Sequence, residues 1–274
     1  MPERILLILL FLFGTCIGSF INVLFWRLPR HESIVYKRSH CINCNNQIPW
    51  YLNIPIISWL YLRGHCHRCQ EKISIRYPII ELATGILLVL SYFSYPSLYL
   101  NIGTPKILIV FGSIIFYCIL FSISLIDLKY LWIPSGLSKF GISTGLIYIL
   151  IISLFTKSGI IYVNVLSAIL CCISLILLAY LAELIFKKKA IGMGDIKLFF
   201  LIGIWLSWPG IGITIYLSFI FSGIFVILGL LSKKIKFGDY IPFAPFISLS
   251  ALLIWLLGNE FWINLYISKF NYLQ

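Results

Sequence analysis

The succession of apolar runs constrains the fold of this chain more than any other feature. Runs near the length that crosses a bilayer, about 20 residues, fall near 5–25, 78–95, 107–126, 133–155, 160–186, 196–208, 211–231 and 241–258. No water is available inside a bilayer, so each run must satisfy its own backbone, which a helix does within one segment. The expected fold class is an all-α polytopic membrane protein with about eight transmembrane helices. Charged residues make up only 11% of the chain, against roughly 25% in a soluble domain, which excludes an ordinary soluble enzyme. The first run lacks a basic segment before it and a small-residue cleavage site after it, so it reads as a retained span.

The net charge of +12 would suit a nucleic-acid partner, but the charges sit in loops between the apolar runs. They read instead as topology signals and as contacts to anionic membrane lipids, with no nucleic acid implied. Loop 27–77 carries Arg27, Arg30, Lys37, Arg38, Arg63, Arg68, Lys72 and Arg76. With eight spans the same side also holds Lys187, Lys188, Lys189, Lys233, Lys234 and Lys236, while the other side shows Arg4, Lys106, Lys157 and Lys269. The positive-inside rule then makes the basic loops cytoplasmic and leaves both termini outside. The expected domains are a first transmembrane helix at 1–26, a cytoplasmic loop module at 27–77 and a membrane core at 78–274.

A module as small as 27–77 usually needs a staple. Cys41, Cys44, Cys66 and Cys69 form two CxxC pairs separated by 21 residues, a strong signal for a four-thiolate zinc (Zn2+) site. A reducing cytoplasm disfavours disulfides, and a redox role would not call for two pairs. Four thiolates close the coordination shell, so the metal would be structural. His40, His65 and His67 flank the pairs as alternative ligands, with solvated loop histidines as the simpler reading. Cys16, Cys118, Cys171 and Cys172 lie in apolar runs and read as small core residues.

The chain has three aspartates, Asp127, Asp195 and Asp239, all expected at cytoplasmic ends of spans. Alone, each reads best as a helix cap or a partner for loop lysines. Their shared depth raises another possibility, because two carboxylates at one level can meet across a bundle. Like charges a few ångströms apart cannot both ionise, so such a pair shares one proton and can activate water against a carbonyl. Asp195 stands in Gly192-Met193-Gly194-Asp195, whose glycines allow close backbone approach. Lys129 and Lys197 each follow an aspartate by two residues, an offset that points them away from it on a helix. Interfacial anchoring is their default role.

With these residues in view, the chain resembles the bacterial type IV prepilin leader peptidases. The resemblance runs through Gly18-Ser-Phe20-Ile-Asn22 with Arg27-Leu-Pro29, both cysteine pairs, and Ile48-Pro-Trp-Tyr-Leu-Asn-Ile-Pro55-Ile-Ile-Ser58-Trp59 followed by Arg63-Gly64. It continues through Ile75-Arg76-Tyr77-Pro78 with Glu81, then Asp127, then Gly192 to Leu198, and Ile241-Pro-Phe-Ala-Pro245. It implies an intramembrane aspartic peptidase of the GxGD type, with Asp127 and Asp195 as catalytic dyad and Gly192, Gly194, Lys129 and Lys197 in support. It further implies cleavage of the basic leader of prepilins or pseudopilins at the cytoplasmic face of the inner membrane. The cysteine loop marks the bifunctional subgroup, which methylates the new N-terminal residue with S-adenosylmethionine. On this reading 78–274 is the peptidase core and 27–77 the methyltransferase-associated module. Gly18, Asn22, Arg27 and Glu81 are candidates for holding the methyl donor, with helix packing or pairing to Arg27 or Arg76 as structural alternatives. Ala244 stands where the family often has Gly, a mild change.

Two other readings compete. One is an intramembrane aspartic protease acting on a different substrate, with the zinc loop used for docking. The other is a zinc-stabilised membrane scaffold or cation transporter. Asp239 remains a third dyad candidate.

Overall fold

The computed structural model describes residues 2–271, apart from 37, 188–191 and 237–238. Lys37, Lys188 and Lys189 of the basic loops, and the residues at 190–191 ahead of Gly192, fall outside that description. The described residues are all-helical, with two isolated bridges, His40 to Gln47 and His65 to Lys72, in place of any strand. The chain forms two compact units, 1–92 and 93–274.

The first unit is a helical hairpin with a long loop between its arms. Helix α1 (Pro2–Arg27) packs on α3 (Arg76–Tyr92), and the described part of the loop carries the short α2 (Ile57–Tyr61) and two 3-10 turns, Leu28–Arg30 and Trp50–Leu52. Small residues set the crossing: a Cβ on Gly14 would come 2.7 Å from Gly85 Cα, and one on Gly18 would come 2.6 Å from Glu81 Cα. Such small residues four apart let backbones approach closely, as in membrane helix pairs. One turn further, Asn22 donates from Nδ2 to the carbonyl of Tyr77 at 3.2 Å. The antiparallel register therefore matches 14 with 85, 18 with 81 and 22 with 77.

The second unit comprises α4 (Ser97–Asn101), α5 (Lys106–Tyr130), α6 (Ser135–Thr156), α7 (Ile160–Phe186), α8 (Met193–Leu231), α9 (Ala244–Leu257) and α10 (Asn259–Asn271). Helix α8 packs against α6, α7 and α9, and α5 packs against α6 and α9. Trp205, Trp255, Phe116 and Tyr148 stack at its centre, with ring centroids 5.1–6.3 Å apart.

Among the described residues, five helices are long and apolar enough to cross a membrane: Glu3–Arg30, Lys106–Tyr130, Ser135–Thr156, Ile160–Ile185 and Met193–Leu231. A sixth is reached if Ala244–Leu257 and Asn259–Leu265, bent by 97°, count as one broken span. The eight expected runs therefore do not become eight separate long helices. The run at 78–95 yields the 17-residue α3. Those at 196–208 and 211–231 join in the 39-residue α8, which breaks at Ser207 (φ 58°, ψ −170°) just before Pro209.

That break frees carbonyls in an apolar interior, where an unpaired backbone group is costly. Pro209 has no N–H to offer the Trp205 carbonyl four residues back. Tyr99 Oη donates to it instead at 2.7 Å, while Asn164 Nδ2 donates to the Ile204 carbonyl at 2.6 Å. Both freed groups are thus capped from other helices.

Candidate active site and metal centre

Each aspartate of the expected pair is held by a different device, and both lie in the second unit. Asp195 is the third residue of α8, after the N-cap Gly192. Its carboxylate folds back to accept the Gly192 N–H, as an acidic residue does in a capping box. A Cβ on Gly192 would stand 3.0 Å from Asp195 Oδ2, so the glycine leaves the room that this carboxylate fills. A Cβ on Gly194 would meet Ile133 Cβ at 3.2 Å. The missing side chain there lets the start of α8 press against the segment that follows α5. The sequence reading used these glycines for close backbone approach; in the fold, the Asp195 carboxylate and the Ile133 side chain lie beside them.

Asp127 sits four residues before Leu131, which ends α5 in the left-handed region (φ 50°) and bonds back to the Asp127 carbonyl at 2.9 Å. The Asp127 side chain is buried. Its Oδ2 accepts the Ala244 N–H at 3.1 Å, and the Phe243 N–H also donates to the carboxylate. These are first-turn amides of α9, whose own N-cap residue, Phe243, supplies no side-chain cap. A carboxylate from one helix thus caps another, and the Ile241–Pro245 block acquires a role that the sequence did not reveal. Pro245 at the second helical position marked a helix start, but nothing in the sequence named the acceptor. Asp195 feels the charge of Asp127, although the two carboxylates are 68 positions apart in the chain.

The other candidates fall around this pair or away from it. Lys197 donates to Ser135 Oγ at 3.3 Å, tying α8 to the start of α6. Lys129 lies 5.5 Å from the ring of Tyr130. Asp239 is exposed and accepts the Lys236 N–H at 2.8 Å, closing a local turn.

The first unit contains the candidate metal centre. One sulfur from each of Cys41, Cys44, Cys66 and Cys69 lies within 4.8 Å of every other, and Cys41 and Cys69 are 3.8 Å apart. A tetrahedral ion with metal–sulfur bonds of about 2.3 Å needs sulfurs about 3.8 Å apart, so the cluster fits a metal ion. The two halves repeat: Cys41 N–H bonds to the Asn46 carbonyl as Cys66 N–H bonds to that of Glu71. Asn45 (φ 54°) and Gln70 (φ 58°) make the same left-handed turn after each second cysteine. His40 Nδ1 and His65 Nδ1 bond to the carbonyls of Arg38 and Arg63 at 3.1 and 2.8 Å, so both rings are engaged locally. Amides of Cys69 and Arg68 point at the Cys66 sulfur and pull its thiol down to about 7. At Cys69, donation from the Glu71 amide is outweighed by burial and the neighbouring sulfurs, which hold its thiol up to about 11. Four sulfurs this close cannot all carry charge without a cation among them.

Of the four methyl-donor candidates, Gly18, Asn22 and Glu81 lie along the α1–α3 crossing, and Arg27 closes α1. Glu81 accepts the Ile56 N–H at 2.7 Å and a bond from Ser19. Neither Arg27 nor Arg76 pairs with Glu81. Arg27 is buried and spends its guanidinium on the carbonyls of Ser33, Ile34 and Arg38 at 3.1–3.3 Å. Asn22 Oδ1 and Arg76 Nε are buried without hydrogen-bond partners. Ser19, which the sequence reading quoted but gave no role, belongs to the Glu81 network.

Comparisons with known proteins agree with this division. The bacterial peptidase A24 N-terminal domain matches residues 12–95, and the type IV leader peptidase family matches residues 114–227. The prepilin leader peptidase/N-methyltransferase of Aeromonas hydrophila is 32% identical, over 92% of this chain and 93% of that protein. The protein of the same name from Myxococcus xanthus is 31% identical over 77% of this chain, which spans only 59% of its length. The type 4 prepilin-like proteins leader peptide-processing enzyme of Escherichia coli is 30% identical over 87% of this chain and 89% of its own. No solved structure matches. By the extent of these matches, the chain belongs to the prepilin leader peptidase/N-methyltransferase family.

Proposed function

We propose that this chain removes the basic leader of type IV prepilins or pseudopilins and then methylates the newly exposed N-terminal residue. The observation that supports the peptidase half is that Asp195 feels the charge of Asp127, with each carboxylate at the amino end of a helix. The positive ends of α8 and α9 stabilise one negative charge on the pair, and mutual repulsion keeps a proton on the other member. The ionised carboxylate takes a proton from water as the water oxygen attacks the scissile carbonyl carbon. The protonated member donates to the carbonyl oxygen, giving a tetrahedral diol. Collapse transfers a proton to the leaving nitrogen and breaks the C–N bond.

The four thiolates suit zinc in a structural role, because they leave no open coordination position. S-adenosylmethionine supplies an electrophilic methyl group to the new amine. Asn22, with its unpartnered buried oxygen, and Arg76, with its unpartnered Nε, have polar capacity left for that donor. Glu81 belongs to the same α1–α3 face. Gly18 and Arg27 enter this reading as scaffold, one at the helix crossing and the other on the loop carbonyls.

The chain fits a multi-pass inner-membrane protein, with eight crossings if α3, both parts of α8 and the α9–α10 pair are each spans. Its basic loops favour a cytoplasmic active site and periplasmic termini. The test is incubation of the purified protein with a candidate prepilin and isotope-labelled S-adenosylmethionine, followed by mass measurement of the product. The expected product lacks the leader and carries one labelled methyl group. A trimmed, unmethylated product would remove the methyltransferase half, and an uncut substrate would remove the whole reading.

A further inference from the structure

We propose that residues 50–61 of the first unit form a membrane-surface element seated in the interfacial layer of the lipid bilayer. The proposal rests on the reading of α1 as a membrane span, and it is independent of the peptidase reading.

The first observation is depth. The Ile56 N–H is bonded to Glu81, which also bonds Ser19. Glu81 lies five positions past the start of α3 and Ser19 eight before the end of α1. At 1.5 Å per residue, those positions are roughly 8 and 12 Å inside the helix ends. The loop between the arms therefore dips down alongside the hairpin at Ile56. That descent has a visible cost, since Ile56 is β-branched yet sits at φ 63°, ψ −52°, a conformation such residues avoid. The Glu81 bond holds it there.

The second observation is what the segment turns outward. Trp50 is 83% exposed and Tyr61 78%, and Tyr51, Ile54, Ile57 and Leu60 are exposed with them. Ser58 is buried and accepts the Ile54 N–H, and the Trp59 indole N–H bonds to the Ile73 carbonyl, so these polar groups are spent inside the unit while the large aromatic and aliphatic side chains face out. Tryptophan and tyrosine at the edge of an apolar layer are the signature of membrane interfaces.

The third observation is that the irregular backbone is satisfied internally. The amides of Leu52, Asn53, Ile54, Ile56, Ile57 and Ser58 all have partners within the unit. Non-helical chain is tolerated near membrane depth under that condition. Arg63, Arg68 and Lys72 are exposed just after the segment, where they complement anionic head groups.

The test uses the full-length, zinc-loaded protein in vesicles of phosphatidylethanolamine and phosphatidylglycerol. A benzophenone amino acid replaces Ile57 or Tyr61 in turn, with Leu177 on α7 as a lipid-facing reference and Ile42 on the first cysteine turn as an aqueous reference. After irradiation, mass measurement should find lipid adducts at 57 and 61 approaching the yield at 177, and several-fold above that at 42. Lipid adducts at 177 but not at 57 or 61 would overturn the proposal. So would adducts from 57 and 61 to a second copy of the chain, or labelling at 42 equal to theirs. Absence of lipid adducts at all three apolar positions would remove both the proposal and the membrane reading beneath it.

Discussion

The two units build their polar centres from opposite ranges of the chain. In the first unit each pair of cysteines lies within one tight turn, and each turn is closed by its own amides, at Cys41–Asn46 and Cys66–Glu71. In the second, one carboxylate ends α5, the other opens α8, and the amides that hold Asp127 belong to α9, 117 positions away. A locally built centre depends on few contacts outside itself. A centre assembled from three helices depends on every contact that fixes their mutual position.

The largest effect should therefore come from either carboxylate of the second unit. Asp127→Asn or Asp195→Asn should lower prepilin cleavage at least about 10³-fold, the range expected for losing a positioned acid or base. Zinc content should stay unchanged, because the four sulfurs share no element with the pair. Cleavage by purified protein and metal analysis of the same sample check both halves. Normal cutting by both variants would dismantle the dyad, and loss of zinc in either would break the proposed independence of the two centres.

Gly194 tests the same contrast without touching a carboxylate. Any Cβ there falls 3.2 Å from Ile133, so Gly194→Val must push α8 away from the segment after α5. Overpacking of this kind costs about 1–3 kcal/mol. A displacement near 1 Å of a reacting group costs about 10²-fold in rate. The expected result is a kcat reduced by about that factor, with KM little changed and the zinc loop intact. An unchanged kcat would mean that Ile133 yields without moving Asp195.

How much of this was legible in the sequence follows the same division. The cysteine centre could be read directly, because both of its turns are short-range patterns repeated at 25-residue spacing. The aspartates could be named from charge in an apolar context and from Gly192-x-Gly194, but not their holders. An acceptor for the Phe243 and Ala244 amides could come from any helix end, and only packing selects Asp127. The same limit applied at Ser207. Pro209 announced a missing donor for the Trp205 carbonyl, yet the choice of Tyr99 and Asn164 as caps is a tertiary fact. Helix boundaries were not legible where hydropathy runs continuously through a backbone break, as in α8, or where a run yields a helix of only 17 residues, as in α3.

Damage to the first unit should run the other way. Cys44→Ser leaves three thiolates, too few to close a structural site, so bound zinc and methyl transfer should both be lost. Cleavage should fall by much less than in the Gly194 variant, since the carboxylates and their amides lie wholly in the second unit. Paired assays of cleavage and labelled methyl incorporation measure the gap. Equal loss of both activities would show that the loop also supports the peptidase, and the independence of the two centres would fail from this side.

The smallest effect belongs to Asp239, the third aspartate and the one that sequence alone could not separate from the pair. Its carboxylate is exposed and holds the Lys236 N–H at 2.8 Å, a bond that an asparagine oxygen accepts equally well. Asp239→Asn should change stability by no more than about 0.5 kcal/mol, as for other surface substitutions outside special features, and leave cleavage near the parent rate. A loss comparable to that of Asp127→Asn would pair the wrong carboxylates. It would place the peptidase centre at the turn before α9, where Asp239 holds the Lys236 amide.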